Sequence, residues 1–338
     1  MSDIPSNSTG ANRRTFLHQA ASAVLVPPLL SAMPAFGQDA GLIAAARKEG
    51  KGSLYAVTDP AIIQALVARF KEKYGIEIEV TRLISGALGQ RLTAEQESGS
   101  PVADVVLDTD KLLHETLAAR KYYAPLSEMQ GHQAYPDSAK TSTSVIVSHI
   151  PYSLVWNTSL IKEAPKGWED LINPKNKGRV LFIDPRVGGS PALWHVLMLE
   201  TYGESFLRAL GQNGQASPSA VPGLQRIAAG AQAIYAPGVH QVVVGLVAKN
   251  APIGESFPQP TVSSDTNMTI MAKAPHPAIA RLLASFILSV EGQAILNKDG
   301  FSPIKGVPGT MALPKMVTPE FRTIKDKIPG LVTLLGLT

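Results

Sequence analysis

The residues of this 338-residue chain best placed to do chemistry are small polar groups, two of the clusters carrying glycine. They cluster where short apolar runs give way to helical periodicity: Thr58-Asp59, Ser85-Gly86-Ala87, Asp108-Thr109 and Gly188-Gly189-Ser190. At a helix start the first N–H groups lack partners and the aligned peptide dipoles leave partial positive charge, which suits an anion. Glycine there lets a ligand approach the backbone closely. Arg186, just ahead of the last cluster, carries a guanidinium able to grip a carboxylate or phosphate in two-pronged fashion. His240 offers a further donor from a facing loop. Each group also has an ordinary reading: the small residues as helix caps, Arg186 as a surface arginine paired to an acid, His240 as a capping residue.

Other chemistry is not signalled. No Gly-x-Ser-x-Gly elbow, His-Glu-x-x-His pair or P-loop occurs. There is no cysteine to act as nucleophile or thiolate ligand. The seven histidines are scattered without paired spacing. We expect no catalytic residue, no metal and no cofactor.

The elements that must position these groups read as alternating strands and helices. Residues 51–57 are a short apolar run. Asp59 then serves as an N-cap and Pro60 as first helical residue, ahead of an amphipathic helix over 61–74 that Gly75 ends. Residues 76–80 alternate as a strand, and a second helix covers 88–97. A buried strand at 103–107 leads into a third helix at 110–120. Three strand-to-helix units in succession call for a parallel sheet with covering helices. A polar stretch over 131–143 breaks the pattern, and 144–156 reads as extended chain. A strand at 178–183 leads to Ser190 as N-cap of a helix to Tyr202. A further strand near 233–235 turns at Pro237-Gly238 into 239–249, where helix is favoured over strand by context. Residues 253–270 read as a second crossing, 277–296 as one helix, and 319–328 as a last amphipathic stretch.

The amino terminus sets the compartment. Arg13-Arg14-Thr15-Phe16-Leu17 precedes an apolar run, and Ala35-Phe36-Gly37 offers small residues for cleavage before Gln38, a tripartite export signal of twin-arginine type. The run is short and broken by Pro27-Pro28, a poor spanning helix. We therefore expect residues 1–37 to be removed and the protein to be periplasmic. The net charge of +4 is spread along the chain, which argues against nucleic acid. About 300 remaining residues exceed what one core supports, so two lobes are expected.

These pieces together resemble the family 1 extracellular solute-binding proteins of ABC transporters, type 2 periplasmic binding proteins that include ferric-ion, thiamine, polyamine and phosphonate or sugar-phosphate receptors. The resemblance rests on residues 45–51, on Ser85-Gly86-Ala87-Leu88 before Gln90-Arg91-Leu92, on residues 103–107, and on Gly167-Trp168-Glu169-Asp170-Leu171. Residues 174–179, Asp184-Pro185 and Ser289-Val290-Glu291-Gly292-Gln293 complete it. It implies an α/β protein of two lobes, each a mixed, mostly parallel sheet flanked by helices, joined by a two-strand hinge. The expected lobes are 38–148 with about 258–310, and 149–257 with about 311–338. It also implies a monomeric receptor that hands its ligand to a membrane permease. Carried onto matching positions, the expected contacts are Thr58, Asp59, Ser85, Gly86, Ala87 and Thr109 from one lobe. From the other come Tyr152, Gly189, Ser190, Tyr235 and His240, and Arg186 joins them on its own chemistry.

The adjacent tyrosine pair used by ferric-ion receptors is absent from the loop that here reads Tyr235-Ala236-Pro237-Gly238-Val239-His240. Losing phenolate donors counts against a hard cation. The adjacent Tyr122-Tyr123 lie past the third helix and read as lobe surface or core. Arg186, His240 and the helix starts favour a small organic anion: a carboxylate, phosphonate or phosphate ester. A ferric-ion, polyamine or thiamine receptor, a sensor domain and a cofactor-bearing exported enzyme are the alternatives.

Overall fold

The computed structural model describes residues 40–337, so the expected export signal and its cleavage point lie outside the described residues. Helix α1 (Ala40–Glu49) stops at Gly50, whose φ of 86° favours glycine. Strand β1 (Lys51–Ala56) leads to α2 (Pro60–Tyr74). The Asp59 carboxylate accepts the Ala61 N–H at 2.8 Å, and Ile63, Leu66, Val67, Phe70 and Tyr74 form its buried stripe. The pattern repeats with β2 (Glu77–Arg82), α3 (Ser85–Glu97), β3 (Val105–Asp108) and α4 (Lys111–Ala119). Helix α3 begins earlier than its apolar spacing suggests, so Ser85, Gly86 and Ala87 are its first turn.

Strand β4 (Val145–Ser148) is followed by β5 (Tyr152–Asn157), β6 (Val180–Ile183), α5 (Gly189–Tyr202), α6 (Glu204–Asn213) and β7 (Gly214–Ser217). Then come α7 (Ala220–Ala228), β8 (Ile234–Val239), α8 (His240–Val247), β9 (Ile253–Ser256) and β10 (Thr266–Ile270). The chain closes with α9 (Pro277–Leu288), α10 (Val290–Leu296) and α11 (Ile324–Leu334).

The strands form two five-stranded sheets, ordered β2-β1-β3-β10-β4 and β7-β6-β8-β5-β9. In each, three strands run parallel and two are antiparallel to their neighbours. One core gathers Leu54, Phe70, Val105, Val147, Met268 and Phe286; another gathers Trp168, Phe182, Trp194, Phe206, Val262 and Leu331. Two cores on two sheets of matching order define two lobes. Between them, residues 149–151 and 263–264 pair side by side. Ile150 N–H donates to the Ser263 hydroxyl at 2.9 Å, and Ser264 N–H to the Ile150 carbonyl at 3.0 Å.

Several boundaries differ from expectation. Gly188, not Ser190, occupies the N-cap of α5, and Ser190 sits in its first turn without a side-chain capping bond. Pro237 and Gly238 continue β8 rather than turning out of it. The expected helix over 277–296 is two helices bent by 75° at Ser289, whose hydroxyl accepts the Gly292 N–H and restarts the chain as α10. Helix α11 starts later than 319 and carries Pro329 inside it. Val262 belongs to the second core, so the return to the first sheet comes after about 258.

Candidate functional site

The carboxyl ends of β2, β3, β6 and β8 open onto one cleft of about 530 Å³, a volume typical of small-molecule sites. One wall is Ile84 and Gly86 at the start of α3 with Thr109, Asp110 and Lys111 at the start of α4. The facing wall is Val187 to Pro191 leading into α5, with Pro237 and Val239 from β8. Tyr152 and Ser264 come from the paired crossing, Phe321 from the approach to α11, and Ile324 and Lys325 from its first turn. Helices α3, α4 and α5 therefore begin at the cleft, with the ends that carry partial positive charge.

Five expected contacts meet in this lining: Gly86, Thr109, Tyr152, Gly189 and Ser190. Ser85 starts α3 beside Gly86, and Ala87 follows in the same turn outside the lining. The others lie elsewhere. The Thr58 carbonyl accepts the Arg82 Nε–H at 3.1 Å, and Asp59 is spent capping α2. Arg186 is held by the acid two residues before it: its Nε and Nη2 donate to the Asp184 carboxylate at 3.0 and 2.7 Å. Hydrogen bonding to Arg186 holds the Asp184 carboxyl below its ordinary pKa. Tyr235 is wholly buried among Val155, Leu181 and Leu224. It sits inside a strand covered on both faces, not at the strand's end. His240 is buried too, its Nδ1 2.7 Å from Glu255 Oε2 and its Nε2 on the Asp299 carbonyl. Arg186, Tyr235 and His240 thus do not line the cleft.

Two cations that sequence reasoning missed do line it. Lys111, at the first position of α4, projects from one wall and holds its ammonium 4.3 Å from the centre of the Phe321 ring. Lys325 enters from α11 on the other side. Among the described residues neither ammonium pairs with a carboxylate. Asp110 also lines the cleft, but its side chain caps α4, accepting the Leu113 N–H at 3.0 Å. Lys111 was findable as a basic residue directly after a helix cap. Lys325 was not, because only the packing of α11 on α5 and α6 brings it here.

Among the described residues Tyr152 is the one phenol lining the cleft, and Ser264 lines it too. Burial pushes its pKa well above the ordinary tyrosine value, so the ring keeps its proton and can donate a hydrogen bond. Tyr123 is buried in a separate cluster with Leu88 and Leu117. Among the described residues no group of three or more His, Asp or Glu side chains is placed to hold a metal ion.

Two lobes of matching sheet order, with helix starts converging on a cleft between them, define the fold of type 2 periplasmic binding proteins. The model of the bacterial extracellular solute-binding protein family matches residues 56–294, and the chain belongs to that family. A thiamine-binding periplasmic protein of Salmonella typhimurium is 29% identical over 148 residues, 43% of each chain. The substrate-binding protein of an ABC transporter from Agrobacterium tumefaciens superposes with a TM-score of 0.74 at 17% identity, over 85% of this chain and 95% of that one. The periplasmic binding protein AfuA from Actinobacillus pleuropneumoniae, with fructose-6-phosphate bound, gives 0.70 at 19% identity over 86% and 99%.

Proposed function

We propose that this protein is a periplasmic receptor, not an enzyme, that captures a small organic anion in the interlobe cleft and delivers it to the permease of an ABC importer. The anion is a carboxylate, phosphonate or phosphate ester. One observation carries the reading: Lys111 and Lys325 reach the same cleft from its two sides, and among the described residues neither is neutralised by a carboxylate. The three helix starts, the Ser190 and Ser264 hydroxyls and the protonated Tyr152 supply further donors. Apolar residues such as Ile183, Leu193 and Ile324 suit the ligand's carbon skeleton.

Relatives with this fold bind ligands of different charge, one of them a sugar phosphate and another thiamine. The two lysines of this cleft support the anion. A cationic ligand needs carboxylates facing it, and the acid lining the cleft, Asp110, is already committed to α4.

The test is a thermal-shift screen of carboxylates, phosphonates and phosphate esters, with ferric ion and polyamines as a counter-panel. A ligand at one hundred times its Kd stabilises the folded form by about 2.7 kcal/mol. An anion that raises Tm supports the reading. A shift given by ferric ion or polyamines alone overturns it.

A further inference from the structure

His240 lies outside the ligand cleft, yet it touches both lobes. It opens α8, directly after Val239 of the cleft wall. Its Nδ1 faces the Glu255 carboxylate of β9, in the same lobe, at 2.7 Å. Its Nε2 faces the backbone carbonyl of Asp299, in the loop after α10 and so on the other lobe. The rings of Phe257 and Phe301 pack on it with centroids 5.9 and 5.3 Å away, and leave it 6% exposed.

Both partners are oxygens, and the carbonyl can only accept. A neutral imidazole carries one N–H, so it can donate to one of the two. Both bonds exist together when His240 and Glu255 share the proton that makes an imidazolium–carboxylate pair. The same loop reaches the crossing strands: His149 N–H donates to the Phe301 carbonyl at 3.0 Å, and His149 Nδ1 lies 2.7 Å from Asp265 Oδ1. His240 thus stands between the cleft wall and the segments that cross between the lobes.

We propose that His240 is a proton-operated tie between the lobes: protonated, it bridges Glu255 to the Asp299 backbone and fixes the lobe spacing, and deprotonated it releases one of the two bonds. The titratable groups facing it are Glu255 from β9 and Asp299 from the loop after α10, with the His149–Asp265 pair beyond Phe301; α8 carries no other titratable side chain. Burial opposes the charged ring, but the hydrogen bond and charge of Glu255, joined by those of Asp299, outweigh it, and the pKa stands raised above 6.5. A raised histidine value means the tie is complete below pH 6.5 and is lost as the pH climbs through that higher value.

The chain has no cysteine, so two can be introduced as unique label sites, Ser98→Cys on one lobe and Gln225→Cys on the other. The ligand-free mature protein is then followed by spin-label distance measurements from pH ~5 to ~9, bracketing histidine titration, alongside the His240 ring signal in NMR. The expected result is a distance distribution that broadens with rising pH, with a midpoint matching His240. In His240→Gln the response flattens, and in Glu255→Gln the midpoint moves to lower pH. A wild-type distribution unchanged across the range, or a midpoint that does not follow His240, overturns the proposal. So does a His240→Gln response equal to wild type. Should that variant not fold, an unmoved midpoint in Glu255→Gln overturns it equally.

Discussion

The two walls of the cleft are built alike and charged differently. Each sits at the carboxyl ends of parallel strands, in sheets of the same order, and each presents a helix start. On one wall Lys111 opens α4 with no carboxylate partner among the described residues. Beside the other, Arg186 follows β6 just outside the lining, and Asp184 grips it. An arginine is the stronger anion-binding group in isolation. A neighbouring carboxylate cancels that advantage, because a ligand must displace the ion pair before it gains one. Position at a strand end nominates a cation, and its neighbours decide whether it is available.

The walls are alike again behind their surfaces, where each helix buries a histidine: His114 in α4 and His195 in α5. Burial lowers the pKa of both, that of His195 to about 4. For His195 the sign follows from a folded value below the unfolded 6.5. Its contribution is present above 6.5, is lost as pH falls towards 4, and amounts to on the order of 3 kcal/mol. Urea unfolding at a series of pH values should show this acid loss, and His195→Phe should shrink it. An unchanged slope in the variant would contradict a neutral buried ring. His240 acts in the opposite sense, losing its contribution as pH rises, so stability should peak between the two transitions.

Glycine substitutions separate the walls next. A Cβ on Gly238 of β8 would meet Ser153 Oγ and Val155 Cγ2 at 2.4 Å. Gly238→Ala should therefore cost about 1–3 kcal/mol by overpacking, read from denaturant midpoints. A wild-type midpoint would show that β5 yields more easily than its packing suggests.

The charge contrast is tested by affinity. With the anion found by screening, Lys111→Gln and Lys325→Gln should each raise Kd at least tenfold, about 1.4 kcal/mol. Arg186→Gln should change it less than about threefold, some 0.6 kcal/mol. Calorimetric titration giving the reverse ranking would return the anion contact to Arg186. Rising salt should weaken wild-type binding, and less so in Lys111→Gln, since screening acts on the charge that variant lacks. The smallest effect belongs to Gly86→Ala: nothing lies within 4 Å of the added carbon, so folding stability should move by less than about 0.5 kcal/mol.

Much of the architecture was legible because it rests on local chemistry. Asp59 and Pro60 announce α2, Gly75 ends it, and the apolar spacing from Ile63 to Tyr74 marks its buried side. Strand β7, by contrast, is Gly214–Ser217, a short edge strand whose Gly-Gln-Ala-Ser has no alternation to read. The break at Ser289 was hidden because apolar periodicity continues across it, and only a hydroxyl cap marks the bend.

The sequence by itself determined the class of protein: strand-to-helix alternation, small polar residues at helix starts, and the ordered family segments follow from short-range spacing and steric rules. Only the tertiary structure decided which side chains serve the cleft. Lys111 and Lys325 are far apart along the chain, and Tyr235 and His240 are turned into packing by sheets and loops distant in sequence. Availability for a ligand depends on burial and on neighbouring charge, which arise only when remote segments come together.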